Sequence, residues 1–561
     1  MTKKILKNHV ILISIILLGF LLRFINLKQN PSRMTHDAMS IGYNAFSILK
    51  TGKDEWGRFL PLDFEAFGDH KLPGAIYTTV PFIALFGLNQ TAVALPSVLA
   101  GTSLILFIYF LIKDLTDKKN LALVSAFLIS TSPWMSHISR MMFESNLGLS
   151  IYTLALVFLI KSLKEKNQQF LIVTAALLGL SFYFYIAFRV ISGLTLIAFL
   201  AYSWSKKISK KQILITSAIF TISILPLLPQ LFSTSGTARF NQVSVFSGES
   251  QAAVQKEITD YCFLNSAKLT PICRYLFNKP LLIGKNLLNV YTQFFLPSFL
   301  FTPEQNLDYK RNSFFGLFFV ILAPLLVFGL ISFKKQKHIT KFLLIFLLLV
   351  TPLPTVLTGK IQIIRATAYV LPVIILLSLG WDQFLSWIKN NKILQIGLTG
   401  IYCLWLILFV LHDHFVYAPQ SAHTVYMLPT ELLQDVSSRD DVDIIYISKN
   451  FPDAHIAVAF YEKTKPGWYQ ENIKRLPADD MGFSHAQQLG KYQFGDQSLK
   501  NFLCDPNLEN FIYVTHDSEI ELPPSKKYKG FSQVHTHAYL YDSQLMKNEI
   551  PSEKIENYCL K

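Results

Sequence analysis

The chain has 561 residues, of which 51% are hydrophobic and only 16% are charged. This composition cannot be spread evenly over a soluble globule, and it predicts a polytopic membrane protein. The net charge of +15 comes from lysines scattered over separate short segments. A nucleic-acid partner would require one basic face, so we expect none.

Eleven windows of about 19 residues are poor in charge and predict membrane-spanning helices. A cluster of lysines precedes the first window, but Leu21-Leu22-Arg23-Phe24 offers no small-residue cleavage site, so we expect a retained span rather than a signal peptide. The windows lie near residues 10–28, 91–112, 120–137, 146–160, 170–187, 190–204, 213–230, 314–333, 341–358, 367–388 and 393–412.

Lysine-rich segments predict the orientation of these spans. With the N-terminus in the cytoplasm, clusters such as 113–119, 161–166 and 206–211 all fall on the inner side, as the positive-inside rule requires. An odd number of spans then places the C-terminal residues outside. We therefore predict a multi-pass protein of the cell membrane, in contact with membrane lipids, with a cytoplasmic N-terminus and an extracytoplasmic C-terminal domain.

Two outer loops and a tail complete the predicted organisation: a first loop over 29–90, a second over 231–312, and a tail over 413–561. In the first loop, 39–49 has helical spacing, and we expect the apolar stretch 74–88 to lie along the interface rather than to cross the membrane.

The tail contains strand-like runs at 443–447 and 511–514 and a helical run at 454–462. These patterns predict a small α/β unit. The expected fold is thus mainly α, with a transmembrane domain over 1–412 and an α/β domain over 413–561.

The five cysteines fit this topology. Cys262 and Cys273 share the second outer loop, Cys504 and Cys559 share the tail, and Cys403 lies inside a span. The outer pairs permit two disulfides in an oxidising compartment, but spacing alone leaves unpaired thiols open as an alternative.

Two polar segments of the first outer loop could carry chemistry: His36-Asp37, and Asp69-His70-Lys71 followed by Leu72-Pro73. A carboxylate beside an apolar surface can serve as a general base, although Asp37 could instead cap the helix that follows it. Lys71 can neutralise phosphate oxygens as a point charge, although an interfacial lysine can also snorkel.

Further charged residues lie at the outer ends of spans. Arg140 and Glu144 follow the third span and would share a face if both lay on one helix, where they could pair or bind an anion and an acceptor. Arg189 follows Tyr183-Phe184-Tyr185, and Arg365 precedes the tenth span. Charged groups at membrane level tend to mark ligand sites, although boundary arginines also snorkel. The sequence has no Walker-type, HExxH or paired CxxC motif, which disfavours a soluble nucleotide site.

At these positions the chain resembles the GT-C superfamily of polyprenyl-phosphate-dependent glycosyltransferases. The likeness is to bacterial relatives of protein O-mannosyltransferases and of the lipid A aminoarabinose transferase, and it covers residues 1–412. The family usually shows Asp-Glu where this chain has Asp37-Ala38, and Lys-Pro-Pro where it has Lys71-Leu72-Pro73. Residues 139–144, 179–189 and 365–372 resemble later elements of the family.

The resemblance implies an inverting transfer of a hexose or pentose, at the outer membrane face, from a polyprenyl-phosphate-linked donor to a protein, lipid or glycan acceptor. Asp37 would be the general base, and Glu144 would occupy the second acidic position. Lys71, Arg140, Arg189 and Arg365 would hold the donor phosphate. The supporting residues would be His36, Asp69, His70, Tyr183 and Tyr185.

No cofactor is required if lysine and arginine stabilise the leaving phosphate. A divalent metal stays open as an alternative, because Asp37, Asp69 and Glu144 could gather around one.

Two other classes of function are compatible with the sequence. A transporter or flippase of lipid-linked or small solutes would place its charged residues near mid-depth, whereas here they cluster at the outer ends of spans. A non-catalytic cell-envelope assembly protein would depend on the tail and leave Asp37 and Lys71 dispensable.

Overall fold

A computed structural model of the chain describes residues 2–28, 34–66, 68–205, 209–231, 244–262, 273, 275, 277–303, 315–388, 391–417, 428–451, 453–479, 483–516, 520–529 and 537–560. These residues form two compact units. The helical unit comprises Met1–Leu27 and Pro96–Phe415, and the mixed unit comprises Lys28–Leu95 and Val416–Lys561. The predicted domain boundary at residues 412 and 413, which was set by hydropathy, stays a prediction.

The helical unit consists of helices of different lengths, most of them apolar. Its α-helices are Thr2–Phe24, Gln90–Thr116 (from Pro96 onward), Lys119–Ser130, Pro133–Arg140, Glu144–Glu165, Gln168–Ser181, Ile186–Ser205, Lys210–Ile224, Leu228–Leu231, Gly248–Cys262, Lys279–Gln293, Pro297–Phe301, Ala323–Phe333, His338–Val350, Leu353–Val356, Val370–Trp387 and Lys392–Phe409. Short 3₁₀ turns cover Leu225–Leu227, Val320–Leu322 and Thr367–Tyr369, and a π-helix covers Val410–Tyr417.

Seven helices among the described residues are long and apolar enough to cross a membrane. An eighth candidate is the pair Lys119–Ser130 and Pro133–Arg140, which is bent by 54°. The remaining three predicted windows fall on shorter apolar helices that begin at Gln168, Ile186 and Val320. The prediction of a polytopic, mainly helical fold is therefore confirmed. The orientation of the spans stays a prediction.

Two glycines allow the closest helix packing in the helical unit. A Cβ added at Gly380 would lie 1.9 Å from the carbonyl oxygen of Leu325, and one at Gly329 would lie 2.3 Å from that of Leu376. Helix Val370–Trp387 and helix Ala323–Phe333 thus meet backbone to backbone. Such contacts through small residues are a main source of helix association in membranes.

The mixed unit combines the first outer loop with the C-terminal residues. Its α-helices are His36–Thr51, Pro73–Phe86, Thr430–Ser437, Ala454–Tyr461, Pro466–Asn472, Leu499–Leu503, Ser543–Glu549 and Ser552–Leu560. A two-stranded hairpin pairs β1 (Phe64–Ala66) with β2 (Asp69–Lys71) in antiparallel fashion. The predicted helices at 39–49 and 454–462 are confirmed within small shifts of their ends.

A seven-stranded sheet forms the C-terminal part of this unit. Its strands are β3 (Ile444–Ser448), β4 (Ile473–Arg475), β5 (Ala486–Leu489), β6 (Tyr492–Gly495), β7 (Phe511–Thr515), β8 (Lys526–Lys529) and β9 (His537–Asp542). The order is β4-β5-β6-β3-β7-β9-β8, and the mostly buried β3 and β7 are parallel neighbours in its centre. The predicted strands at 443–447 and 511–514 are confirmed.

The two predicted cysteine pairs are disulfides, Cys262–Cys273 and Cys504–Cys559, while Cys403 is free and exposed. The first bridge lies in the predicted loop 231–312. Within that loop, residues 232–243, 263–272 and 304–314 lie outside the described residues.

Replacing Gly380 by alanine should destabilise the protein, although alanine favours helix more than glycine does. The new methyl group would meet the backbone of Leu325, and overpacking of this kind costs about 1–3 kcal/mol. The measurement is the unfolding temperature in detergent. Gly397→Ala is the matched control, because a Cβ at Gly397 meets nothing within 4 Å. Equal effects of the two substitutions would contradict the close packing.

Candidate functional site

The described residues bring Asp37 and Lys71 together, although 34 residues separate them in the sequence. The Lys71 ammonium donates hydrogen bonds to the carboxylate of Asp37 and, at 3.2 Å, to that of Asp69. Lys71 is only 6% exposed, so its charge is balanced by carboxylates rather than by water. We call Asp37, Asp69 and Lys71 the Lys71 cluster.

Local sequence explains how each member of the cluster is placed. Thr35 is the N-cap of helix His36–Thr51, and its hydroxyl accepts a hydrogen bond from the backbone N–H of Ala38 at 3.1 Å. Asp37 therefore lies in the first turn, where the helix dipole favours a carboxylate. Lys71 ends strand β2, and Pro73 stops the strand by beginning the next helix.

The two histidines predicted to support the site lie beside the cluster. His36 is next to Asp37 on the helix, and burial lowers its pKa, which favours the neutral imidazole. His70 lies on β2 opposite Glu65, and its Nδ1 is 2.9 Å from a carboxylate oxygen of Asp63. Both histidines thus flank the Lys71 cluster on the same two elements that build it.

A carboxyl group from the C-terminal residues lies near the cluster, and no pattern in the sequence indicates it. Asp453 precedes helix Ala454–Tyr461, which packs against helix His36–Thr51. Burial raises the pKa of Asp453 to about 7, and the negative charge of Asp37 adds to the shift while Lys71 opposes it.

Glu55 is a second buried carboxyl that sequence reasoning missed. It is 3% exposed and accepts hydrogen bonds from the Asn44 amide at 3.1 Å and from the Tyr469 hydroxyl at 3.3 Å. Burial raises its pKa to about 7, while the hydrogen bond from Asn44 and the charge of Arg475 oppose the shift. The sequence feature that could indicate this network is the set of buried polar residues Ser40, Asn44 and Ser47 in helix His36–Thr51.

A small cleft opens beside Glu55. Its lining residues are Glu55, Trp56, Ala66, His455, Arg475, Ser484 and His485, and its volume is only about 10 Å³. The Arg475 guanidinium stacks 3.7 Å over the Trp56 ring, and burial with the nearby charge of Arg475 lowers the pKa of His455 to about 3. The cleft is therefore polar, with one stacked cation and a neutral histidine.

Arg140 lies in the helical unit and is 2% exposed. Its Nη1 donates to the backbone carbonyls of Leu22 and Arg23 at 3.3 and 3.1 Å, where helix Thr2–Phe24 ends. Arg23 similarly donates to the carbonyls of Ile129 and Ser130 at 3.2 and 3.0 Å, at the bend of the broken span. Both arginines thus bind helix C-termini, which carry partial negative charge.

Glu144 does not share a helix with Arg140. Arg140 ends one helix and Glu144 begins the next, with Met142 at a positive φ of 62° between them. The expectation of a common helix face is therefore wrong, because the chain turns between the two residues.

The remaining predicted residues also lie in the helical unit. Arg189 donates to the side-chain oxygen of Gln230 at 2.8 Å, and the Tyr183 hydroxyl donates to the backbone of Ser223 at 2.7 Å. Arg365 is buried and lies just before the 3₁₀ turn Thr367–Tyr369, and Tyr185 packs against the apolar core. Their proposed roles toward a donor stay predictions.

The part of the chain that the structure describes contains no group of three or more His, Cys, Asp or Glu side chains arranged to hold a metal ion. The cation that faces Asp37 and Asp69 is Lys71 itself. The arrangement can therefore bind an anion at Lys71 and accept a proton at Asp37.

Glu55→Gln should make stability less dependent on pH. The pKa of Glu55 is raised from 4.5 to about 7, so the folded state holds the proton more tightly. This contribution is fully present below pH 4.5 and is lost as pH rises through 7. The difference in unfolding free energy between wild type and variant should change by on the order of 3 kcal/mol from pH 4 to pH 8.

Chemical unfolding in detergent at several pH values measures this difference. Glu553→Gln, at an exposed position of the last helix, is the control. A Glu55→Gln variant with the same pH slope as wild type would show that Glu55 keeps an ordinary pKa.

Part of the chain matches the model of a known protein family. Residues 70–229 match the family model described as dolichyl-phosphate-mannose-protein mannosyltransferase. The matched segment begins beside Lys71 and includes Arg140, Glu144 and Arg189. No curated protein sequence matches the chain significantly.

Solved structures with a similar chain path include two membrane enzymes. The oligosaccharyltransferase AglB from Archaeoglobus fulgidus, in complex with an inhibitory peptide and a dolichol-phosphate, is 14% identical with a TM-score of 0.47. The alignment covers 82% of this chain but 64% of AglB, so this chain spans less than two thirds of that protein. ArnT from Cupriavidus metallidurans bound to undecaprenyl phosphate is 11% identical with a TM-score of 0.42, over 95% of this chain and 97% of that one.

These structural likenesses are too low to carry an argument about activity. The family model matches residues 70–229, which include Lys71 but neither Asp37 nor Asp69. Over those residues the match confirms the predicted resemblance to polyprenyl-phosphate-dependent glycosyltransferases of the GT-C superfamily.

Proposed function

We propose that this chain transfers a sugar from a polyprenyl-phosphate carrier to an acceptor at the outer face of the membrane, with inversion at the sugar carbon. The observation that carries the proposal is the contact between Asp37 and Lys71. It joins a proton acceptor to an anion-binding group in one cluster, and an inverting transfer to a nucleophile from a phosphate leaving group needs both.

The geometry suggests an order of events. Lys71 binds the carboxylates of Asp37 and Asp69, and the contact with the ammonium occupies Asp37. A donor phosphate that reaches Lys71 competes for the ammonium and releases the carboxylate of Asp37. Asp37 then accepts the proton of the acceptor hydroxyl or amine while the acceptor atom attacks the anomeric carbon. The bond between sugar and phosphate breaks, and the polyprenyl phosphate leaves with its new charge stabilised by Lys71.

The acceptor is proposed to be a protein, lipid or glycan and the sugar a hexose or pentose. A mannosyl donor is compatible with the family whose model matches residues 70–229. Glycolipids, wall polymers and secreted proteins from a strain that lacks the chain can be compared with the parent strain by mass spectrometry. One missing hexose or pentose, restored by the wild-type chain, would identify both sugar and acceptor.

Asp37→Asn should reduce transfer to less than about a tenth of wild type, because an amide can still accept a hydrogen bond from Lys71 but cannot accept the acceptor's proton. The measurement is restoration of the missing sugar in the deletion strain, normalised to protein abundance. Asp496→Asn, at a largely exposed residue paired with Lys449, is the matched control. Normal transfer by Asp37→Asn would remove Asp37 from the role of base.

Lys71→Ala should weaken binding of undecaprenyl phosphate by roughly tenfold or more, because the phosphate would lose its cation and face the carboxylates of Asp37 and Asp69. Lys71→Arg keeps the charge and should retain much of the affinity. Binding to the purified full chain in nanodiscs measures both. Unchanged affinity in Lys71→Ala, with a normal unfolding temperature, would place the donor phosphate elsewhere.

A further inference from the structure

We propose that Asp453 is a positioning residue that acts on the Lys71 cluster from the C-terminal part of the chain and sets how strongly the cluster binds a phosphate group. The inference rests on the proposed function, since it concerns the same donor site. It assigns to Asp453 the place of a third acid, beside Asp37 and Asp69 of the first loop.

Helix packing brings Asp453 to the same end of the helix pair as Asp37. A Cβ at Gly42 would lie 2.8 Å from the Phe460 ring, and the Tyr43 hydroxyl donates to the backbone carbonyl of Thr464 at 3.0 Å. The chain then continues along helix His36–Thr51, because Gln470 donates to Ser47 at 3.2 Å. Helices His36–Thr51 and Ala454–Tyr461 therefore run in the same direction.

Parallel packing aligns the starts of the two helices. Asp37 lies five residues before Gly42, and Asp453 lies seven residues before Phe460. At about 1.5 Å per residue, these offsets along the helix axis differ by only about 3 Å. The two carboxyl groups thus belong to adjacent helix starts.

The backbone of Asp453 is in an unusual conformation. Its φ is +54° and its ψ is 33°, and its side chain makes no capping hydrogen bond to the helix it precedes. An aspartate at a helix start normally caps it, and a left-handed conformation is uncommon for residues other than glycine. The carboxyl group of Asp453 therefore does not cap the helix that follows it.

Several ionisable groups surround Asp453. Asp37 on helix His36–Thr51 and Glu55 in the following loop disfavour its charged form, and Lys71 on β2 favours it. Asp69 contacts the same lysine, and His36 lies within its electrostatic influence. Two aspartates thus contact one ammonium and a third acts on it electrostatically, so a fully ionised cluster would repel an incoming phosphate.

Protonation of Asp453 removes one of these negative charges. With a pKa near 7, the group is mostly neutral at pH 5.5 and mostly charged at pH 8.5. When Asp453 is neutral, less negative charge offsets the charge of Lys71, and a phosphate binds more tightly. When Asp453 is charged, it disfavours the bound phosphate and promotes release of the polyprenyl phosphate product.

The test is the affinity of the purified full chain, in nanodiscs, for undecaprenyl phosphate at pH 5.5 and 8.5. Asp453→Asn should bind as wild type does at pH 5.5 and more tightly, on the order of tenfold, at pH 8.5. The ratio between variant and wild type at each pH cancels the titration of the ligand itself. Asp453→Glu should behave as wild type, and Asp496→Asn is the surface control.

Asparagine tolerates a positive φ, and Asp453→Gly provides a second way to remove the carboxyl from a left-handed backbone. Weaker binding in both variants at both pH values would indicate a structural role and overturn the inference. Equal binding by wild type and variants at pH 8.5, with weaker binding by Lys71→Ala, would overturn it and leave the proposed function standing. Full affinity in Lys71→Ala would contradict the proposed donor site itself.

Discussion

A single buried ammonium group organises the candidate site. Lys71 is almost inaccessible to solvent, and a lone charge in such surroundings costs several kcal/mol unless anionic partners surround it. Asp37 and Asp69 meet that requirement from two elements that are distant in sequence. The same contact ties the hairpin β1–β2 to the start of helix His36–Thr51, so the requirement that stabilises this part of the fold also assembles groups able to bind an anion and move a proton.

Much of this arrangement could be predicted from the sequence because its signals are local. Thr35 before an apolar periodic stretch predicts a helix start near Asp37, and Pro73 predicts a break directly after Lys71. The apolar runs around Ile445 and Ile512 predict the central strands for the same reason. The contact between Asp37 and Lys71 was not predicted, since the family resemblance implies only separate roles for the two residues.

Other parts of the site could not be predicted, since they depend on contacts across most of the chain. Asp453 resembles any solvated acid before a short helix, and Glu55 resembles any polar loop residue; only the packing of two helices separated by over 400 residues buries them. Arg140 shows the converse case. An arginine at membrane level favours a ligand site when only the sequence is considered. In the structure, Arg140 donates hydrogen bonds to the carbonyls that end the first helix.

The make-up of the mixed unit has a consequence for biosynthesis. Tyr43 bonds to Thr464, 421 residues later, and ribosomes add roughly 5–20 residues per second. Helix His36–Thr51 is therefore synthesised on the order of 20–80 s before the segment that packs against it around Gly42. During that interval the apolar face of helix His36–Thr51 is open to binding by holdase chaperones. Strand β3 is likewise synthesised before its neighbour β7. The mixed unit therefore completes its packing only after its C-terminal residues are synthesised, and a chain that stalls before Thr464 lacks the segment that packs on helix His36–Thr51.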